Sequence, residues 1–190
     1  MKTQYYTAST LDGYIADVTH SLDWLFQFGA VEETDYPVFI SEVGAIAMGA
    51  TTYDWLWRRH VAPDAVEPQA WPYATPTWVF THRVLPKAPG ADVRFVRGNV
   101  RPVHAEMTAI TAGKNIWIVG GGDLAGQFFD QGLLDEVLIT YVPVMLGKGA
   151  PLLPRRIEKP PLQLIEVRRF GPSFVQLRCE IAKGESRRES

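Results

Sequence analysis

Three consecutive glycines, Gly120, Gly121 and Gly122, are the strongest chemical signal in the chain. They follow the apolar run 116–119 and precede residues 123–131, which predicts a buried strand, a tight turn and a helix. Such a turn offers bare backbone N–H groups and the positive end of a helix dipole to an anion. We interpret it as a phosphate-binding turn; a purely structural turn is the alternative. Its spacing differs from the usual Rossmann fingerprint, and no acid follows about 20 residues later.

Small and polar residues also follow two other predicted strands, at 45–48 and 77–80. They are Gly49, Thr51 and Thr52 after the first strand, and Thr81, His82 and Arg83 after the second. Ligands of open α/β sheets collect at the carboxyl ends of the strands, so three such ends indicate one extended dinucleotide. Arg83 beside Thr81 suits a 2′-phosphate and therefore favours NADPH over NADH. An ordinary surface arginine is the alternative reading of Arg83.

Asp35 is the candidate catalytic acid. It lies near the start of a predicted helix whose apolar face carries Phe39, in a neighbourhood that includes Trp24. A carboxylate that faces an apolar pocket could bind or help to protonate a nitrogen heterocycle, with Trp24, Phe39 and Trp55 as stacking walls. The alternative is an acid that only decorates a helix N-terminus, where negative charge is favoured.

Several function classes are excluded by the composition. The four histidines lack metal-ligand spacing, and the lone Cys179 argues against a disulfide framework, so we predict no metal site. The formal charge of −2 gives no footprint for nucleic acid. No apolar run is long enough to cross a membrane, and no signal peptide is recognisable, so we expect a cytoplasmic protein without a membrane partner.

The elements that must position these residues alternate between strands and helices, which is typical of an α/β fold. Residues 162–170 and 174–181 read as a C-terminal β-hairpin. In its second strand apolar residues alternate with Gln176, Arg178 and Glu180, which predicts one buried and one exposed face. We expect a long loop at 58–76, one domain over residues 1–182, and a polar tail at 183–190.

Five segments together carry a family resemblance: STLDGYIA (9–16), MGATTY (48–53), VGGGDL (119–124), GLLDEV (132–137) and VPVMLGKGAPL (142–152). In this order they resemble the reductase domain found C-terminally in bacterial bifunctional riboflavin-biosynthesis deaminase-reductases. That domain is a member of the dihydrofolate reductase-like superfamily. The similarity runs from about residue 3 to residue 182, and the zinc-dependent deaminase half has no counterpart.

The resemblance implies a three-layer α/β fold with a mixed, mostly parallel sheet of eight to nine strands, flanked by helices, and a homodimer. NADPH would lie across the strand ends. The implied cofactor contacts fall into four groups: Gly49, Thr51 and Thr52 in the first phosphate loop; Thr81, His82 and Arg83 at the 2′-phosphate; Gly120, Gly121, Gly122, Asp123 and Leu124 in the diphosphate turn; Ala8 and Ile15 at the nicotinamide. By the same resemblance Trp24 belongs to a mobile loop beside the nicotinamide, and Asp35 falls near the acid that holds the pterin.

The resulting hypothesis is an NADPH-dependent reductase that acts on a C=N or C=O bond of a small pyrimidine- or pterin-like heterocycle. It would be similar to the 5-amino-6-(5-phosphoribosylamino)uracil reductase of riboflavin biosynthesis. One alternative is a non-catalytic, NADP-binding dimeric scaffold. The other is a true dihydrofolate reductase, which the lack of a basic residue at 71–76 disfavours.

Overall fold

A computed structural model describes residues 1–28 and 34–182, so the predicted polar tail at 183–190 lies outside the described residues. The strands are β1 (Thr3–Thr10), β2 (Tyr14–Ala16), β3 (Val43–Gly49), β4 (Thr77–Phe80), β5 (Val93–Val96), β6 (Asn115–Gly120), β7 (Glu136–Val142), β8 (Ala150–Pro151), β9 (Gln163–Phe170) and β10 (Phe174–Glu180). The helices are α1 (Asp23–Phe26), α2 (Tyr36–Ser41), α3 (Ala50–Leu56), α4 (Val100–Ile110) and α5 (Gly122–Asp130). A π-helical turn, Trp57–Val61, continues α3.

Eight strands form one mixed sheet in the order β5-β4-β3-β6-β1-β7-β10-β9. Each pair from β5 to β7 is parallel, whereas β10 is antiparallel to both β7 and β9. The short strands β2 and β8 pair separately. The predicted α/β fold, with a mostly parallel sheet and a C-terminal hairpin, is therefore confirmed.

Helices cover both faces of the sheet because its central strands are apolar on both sides. Tyr5 and Tyr6 are successive residues of β1, and their side chains enter two different hydrophobic cores. The core of Tyr5 includes Met107 of α4 and Phe128 of α5. The core of Tyr6 contains the side chains that α2 and α3 bury. The outcome is the three-layer architecture that the family resemblance implied, with one hydrophobic core on each face of the sheet.

The orientation predicted for the last strand is wrong at its N-terminal end. The alternation predicted an inward Val175 and an outward Gln176, yet Val175 is 40% exposed and Gln176 only 2% exposed. The reason is that the face carrying Gln176 closes over a polar cluster built from β1, β7 and the start of α2. In addition, α1, β8 and the π-helical turn inside the expected loop were not predicted.

The carboxyl ends of the six parallel strands, β1 and β3 to β7, lie at one edge of the sheet. In the strand register Gly49 lies opposite Phe80, Met48 opposite Gly120, and Ala8 opposite Thr140. Neighbouring strands are about 4.8 Å apart, so the edge from β4 to β10 spans roughly 24 Å. This length accommodates an extended dinucleotide with a second molecule beside it.

Within the described part of the chain, no helix is both long and apolar enough to cross a membrane.

Candidate active site

A cavity of about 650 Å³ runs along this edge of the sheet. It brings together every predicted cofactor residue except the three that follow β4. The predicted residues that line it are Ala8, Ile15, Gly49, Thr51, Thr52, Gly120, Gly121, Gly122, Asp123 and Leu124. Two strand ends 71 residues apart in the sequence therefore belong to one site, as the strand order predicts.

The two glycine-containing turns contact each other at the cavity wall. A methyl group added at Gly49 would lie 3.6 Å from the backbone nitrogen of Gly121, and one at Gly120 would lie 3.6 Å from Oγ1 of Thr52. A methyl group on Gly121 would meet only Cδ1 of Ile15, at 3.9 Å, and would otherwise extend into the cavity. Bare backbone therefore forms this part of the wall, which allows a ligand to approach closely.

Gly122 is small for a different reason. A methyl group there would overlap the carbonyl oxygens of Pro151 and Leu152, which cross the start of α5. The glycine triplet thus combines two requirements, since Gly120 and Gly121 leave room in the cavity and Gly122 permits close packing of the helix.

Two helices begin at this wall without a side-chain cap. Gly49 and Gly121 are the N-cap residues of α3 and α5, and neither supplies a side-chain hydrogen bond to its helix. The first-turn N–H groups of a helix otherwise need a partner, and an anion is a favourable one. Asp123 lies in the first turn of α5, but its carboxylate is 71% exposed, so solvent screens its charge; it accepts from Gln127 at 2.9 Å and pairs with Arg155 at 3.4 Å.

The third predicted corner lies immediately beyond the cavity. Phe80, the last residue of β4, lines the cavity, and Thr81 to Arg83 follow it. The Thr81 hydroxyl is buried and accepts the backbone N–H of Arg83 at 2.9 Å, so it holds the turn. The side chains of His82 and Arg83 are exposed beside this end of the cavity.

Aromatic side chains line a further part of the cavity, which we call its aromatic end. They are Tyr6 in β1, Tyr36 at the start of α2, Tyr73 before β4, Trp117 in β6 and Phe174 at the start of β10. Trp55, predicted as a stacking wall, lines the cavity as well, and its ring stacks on Phe26 with the Arg59 guanidinium 4.2 Å above the Phe26 ring.

The other two predicted wall residues stand behind the cavity lining. Phe39 is buried and stacks on Tyr6 with ring centroids 4.3 Å apart. Trp24 is buried too, while its neighbours Leu22 and Leu25 line the cavity. Phe39 therefore supports Tyr6, whereas Trp24 is buried between two residues of the sequence that line the cavity.

Asp35 has polar surroundings, not the apolar ones that the sequence suggested. Its Oδ1 atom accepts the hydroxyl of Tyr6 at 2.9 Å and the side-chain amide of Gln176 at 3.0 Å. Its Oδ2 atom pairs with Arg168 at 3.3 Å. We call these four residues the Asp35 cluster. Their sequence separations of 29 to 141 residues explain why local sequence patterns missed this environment.

The Asp35 cluster reaches the cavity through two hydroxyl groups that were not predicted. Tyr6 lines the cavity directly. Gln176 also donates its amide to Oγ1 of Thr140 at 3.3 Å, and Thr140 lines the cavity. Tyr6 could have been inferred, because it lies two residues before Ala8 on the same face of a strand. No sequence signal marked Thr140 or Gln176.

Burial raises the pKa of the Tyr6 hydroxyl, and the negative charge of Asp35 raises it further. Tyr6 therefore keeps its proton at neutral pH and donates a hydrogen bond to Asp35. Burial raises the pKa of Tyr36 and Tyr73 as well. The aromatic end of the cavity is consequently lined by uncharged tyrosines.

Among residues 1–28 and 34–182, no group of three or more histidine, cysteine, aspartate or glutamate side chains could hold a metal ion.

Comparison with known proteins agrees with this architecture. The chain is 34% identical over 183 residues to the protein YwjB of Bacillus subtilis strain 168, covering 93% of this chain and 95% of that one. It is similar to the crystal structure of a Shewanella sp. PV-4 protein that is named for riboflavin biosynthesis, with a TM-score of 0.76 and 27% identity, over 96% of this chain and 100% of that one.

The fold is also that of dihydrofolate reductase. The enzyme of Enterococcus faecalis, solved in complex with NADP(H), aligns over 94% of this chain and 95% of its own, with a TM-score of 0.63 and 14% identity. The family model of the RibD C-terminal domain matches residues 2–176. This chain therefore belongs to the RibD C-terminal domain family.

Proposed function

We propose that the protein is an NADPH-dependent reductase that acts on a C=N or C=O bond of a pyrimidine- or pterin-like heterocycle. The observation that carries this proposal is that one cavity of about 650 Å³ contains both the two glycine turns and the aromatic end. A mostly apolar cleft with a few convergent polar groups is the usual form of a cofactor and substrate site.

The residues at the β3 and β6 end fit NADPH. The uncapped N-termini of α3 and α5 would bind its diphosphate, and a side chain on Gly121 would fill the space that the diphosphate needs. Arg83 and His82 would hold the 2′-phosphate beyond β4, and Ala8 and Ile15 would border the nicotinamide. When bound, the reduced nicotinamide supplies a hydride to the acceptor carbon.

The residues at the β7 and β10 end would bind and orient the acceptor. Thr140 accepts the amide N–H of Gln176, so its own hydroxyl hydrogen is available to a nitrogen or oxygen in the cavity. Tyr36, Trp117 and Phe174 provide flat walls that favour a planar ring. Reduction adds a hydride from NADPH to carbon and a proton, drawn ultimately from water, to nitrogen or oxygen. Asp35 accepts hydrogen bonds from Tyr6 and Gln176, and it thereby fixes the side chains that would face the acceptor.

Titration of the purified protein with NADPH and with NADH, followed by nicotinamide fluorescence, tests the proposal. We expect NADPH to bind more tightly than NADH, and Gly121→Ala to weaken NADPH binding by about tenfold or more with little change in the melting temperature. Failure of the wild-type protein to bind either nucleotide would refute the proposal. Binding without oxidation of NADPH against a panel of uracils, pterins and quinones would favour the non-catalytic scaffold.

A further inference from the structure

The two ends of the cavity differ in how they could receive a phosphate group. The end formed by β3 and β6 has two uncapped helix N-termini and bare glycine backbone, with Arg83 exposed beside it. The end formed by β1, β7 and β10, which we call the acceptor end, has the aromatic rings of Tyr6 and Phe174 and the hydroxyl group of Thr140. Among the described residues that line the cavity, none is a lysine or an arginine.

The Asp35 cluster and the neighbouring Glu166 together hold two carboxylates and one guanidinium group. Arg168 is the cation of the Asp35 cluster, and it is already shared by two carboxylates. Its Nη1 atom lies 3.3 Å from Oδ2 of Asp35, and its Nε atom lies 2.6 Å from Oε1 of Glu166. The start of α2, which also borders this end, has Asp35 at its N-cap position. The helix end that could attract an anion there carries a negative side chain instead.

From these observations we propose that the natural acceptor is a planar heterocycle that carries no phosphate group. The inference rests on the proposed function and narrows its substrate class. A phosphate group on the acceptor would bring about two negative charges close to the Asp35 cluster and its neighbour Glu166. These residues hold more carboxylates than cations, and charges of like sign repel one another. A neutral ring needs only the aromatic walls and the hydroxyl of Thr140. The proposal separates this protein from a reductase that requires a phosphoribosyl group on its substrate.

A matched pair of acceptors tests the inference: 5-amino-6-(ribosylamino)uracil and its 5′-phosphate. Binding of each to the protein saturated with NADP⁺ is measured by calorimetry at low ionic strength, and NADPH oxidation is measured by absorbance. We expect the compound without phosphate to bind at least tenfold more tightly and to have the higher kcat/KM. Tighter binding of the phosphorylated compound, or binding of neither compound, would overturn the inference.

Charge variants test its electrostatic cause. Glu166→Lys adds positive charge near the acceptor end, and Glu158→Lys makes the same change at an exposed residue that pairs with Arg156 instead. We expect Glu166→Lys to reduce the preference for the unphosphorylated compound several-fold at low salt, and the effect to shrink in 1 M salt, where charges are screened beyond about 3 Å. Glu158→Lys should leave the ratio unchanged. Equal ratios for both variants and the wild type would contradict the electrostatic explanation.

The two proposals fail in different ways. Absence of NADPH binding in the fluorescence titration refutes the reductase itself. Normal NADPH binding together with a preference for the phosphorylated acceptor leaves the reductase intact and refutes only the inference about the acceptor.

Discussion

Tyr5 and Tyr6 provide a matched pair of substitutions that separates function from stability. Both tyrosines are buried, are adjacent in β1, and donate one hydrogen bond of 2.9 Å. Tyr6 donates to the Asp35 carboxylate at the acceptor end of the cavity, whereas Tyr5 donates to the backbone oxygen of Leu152 on the other face of the sheet. Replacing each tyrosine by phenylalanine removes one hydroxyl and keeps the ring.

The hydrogen-bond partners determine the expected magnitudes. A hydrogen bond to a charged group contributes about 1.5–3 kcal/mol, and one to a neutral carbonyl contributes about 0.5–1.5 kcal/mol. In Tyr6→Phe the Asp35 carboxylate keeps Gln176 and Arg168 as partners, so the loss of stability should be near the lower end, about 1.5 kcal/mol. Tyr5→Phe should lose about 1 kcal/mol.

The catalytic effects should differ much more. Tyr6 lines the cavity and orients Asp35, so Tyr6→Phe should lower kcat/KM about tenfold or more, which corresponds to about 1.4 kcal/mol of lost transition-state stabilisation. Tyr5 faces away from this cavity, so Tyr5→Phe should keep kcat/KM within about twofold. Urea denaturation gives the free energy of unfolding, and NADPH oxidation with the preferred acceptor gives kcat/KM. Equal kcat/KM values for the two variants would refute the role assigned to the Asp35 cluster.

Three further predictions concern cofactor choice and stability. Arg83→Ala should weaken NADPH binding about tenfold without changing NADH binding, whereas Arg97→Ala, at another exposed arginine, should change neither; fluorescence titration measures both. Glu136 is 1% exposed and accepts from Lys2, Gln4 and Arg178, so Glu136→Ala should cost about 3 kcal/mol in urea denaturation, and a loss below 1 kcal/mol would contradict the structure. Burial lowers the pKa of His104 below its usual 6.5, so the folded state favours the neutral ring. This preference stabilises the fold above pH 6.5, and the stabilisation is lost as the pH falls through the lowered pKa. His104→Gln should therefore flatten the decrease in melting temperature between pH 7 and pH 5, and an unchanged slope would show that His104 does not contribute.

The buried strands were accessible from local sequence. Residues 45–48 are apolar throughout and form the centre of β3, and their side chains are completely buried. The span predicted for β4, residues 77–80, agrees with the observed one because turn-forming residues bound this apolar run. Convergence of Gly49 and Gly120 followed from the rule that the carboxyl ends of parallel strands share an edge.

The contacts at the acceptor end could not be predicted from local sequence. The environment of Asp35 depends on Arg168 and Gln176, which lie opposite each other only because β9 and β10 pair in one particular register. A polar residue on an alternating strand reads as exposed, so Gln176 gave no signal that it closes over a polar cluster. The tight contact between Gly122 and the 151–152 segment likewise depends on a crossing that no local pattern encodes. The homodimer, the cytoplasmic location and the single-domain boundary at residue 182 stay predictions.

The central claim is that one cavity holds NADPH by the two glycine-bearing turns and leaves its aromatic end to the acceptor. A crystal structure of the protein grown with NADPH tests it directly. The claim predicts diphosphate oxygens within hydrogen-bond distance of the first-turn N–H groups of α3 and α5, with the nicotinamide ring beside Ala8 and Ile15. Density for the nucleotide at any other surface, with the turn at Gly120 and Gly121 unoccupied, would contradict it.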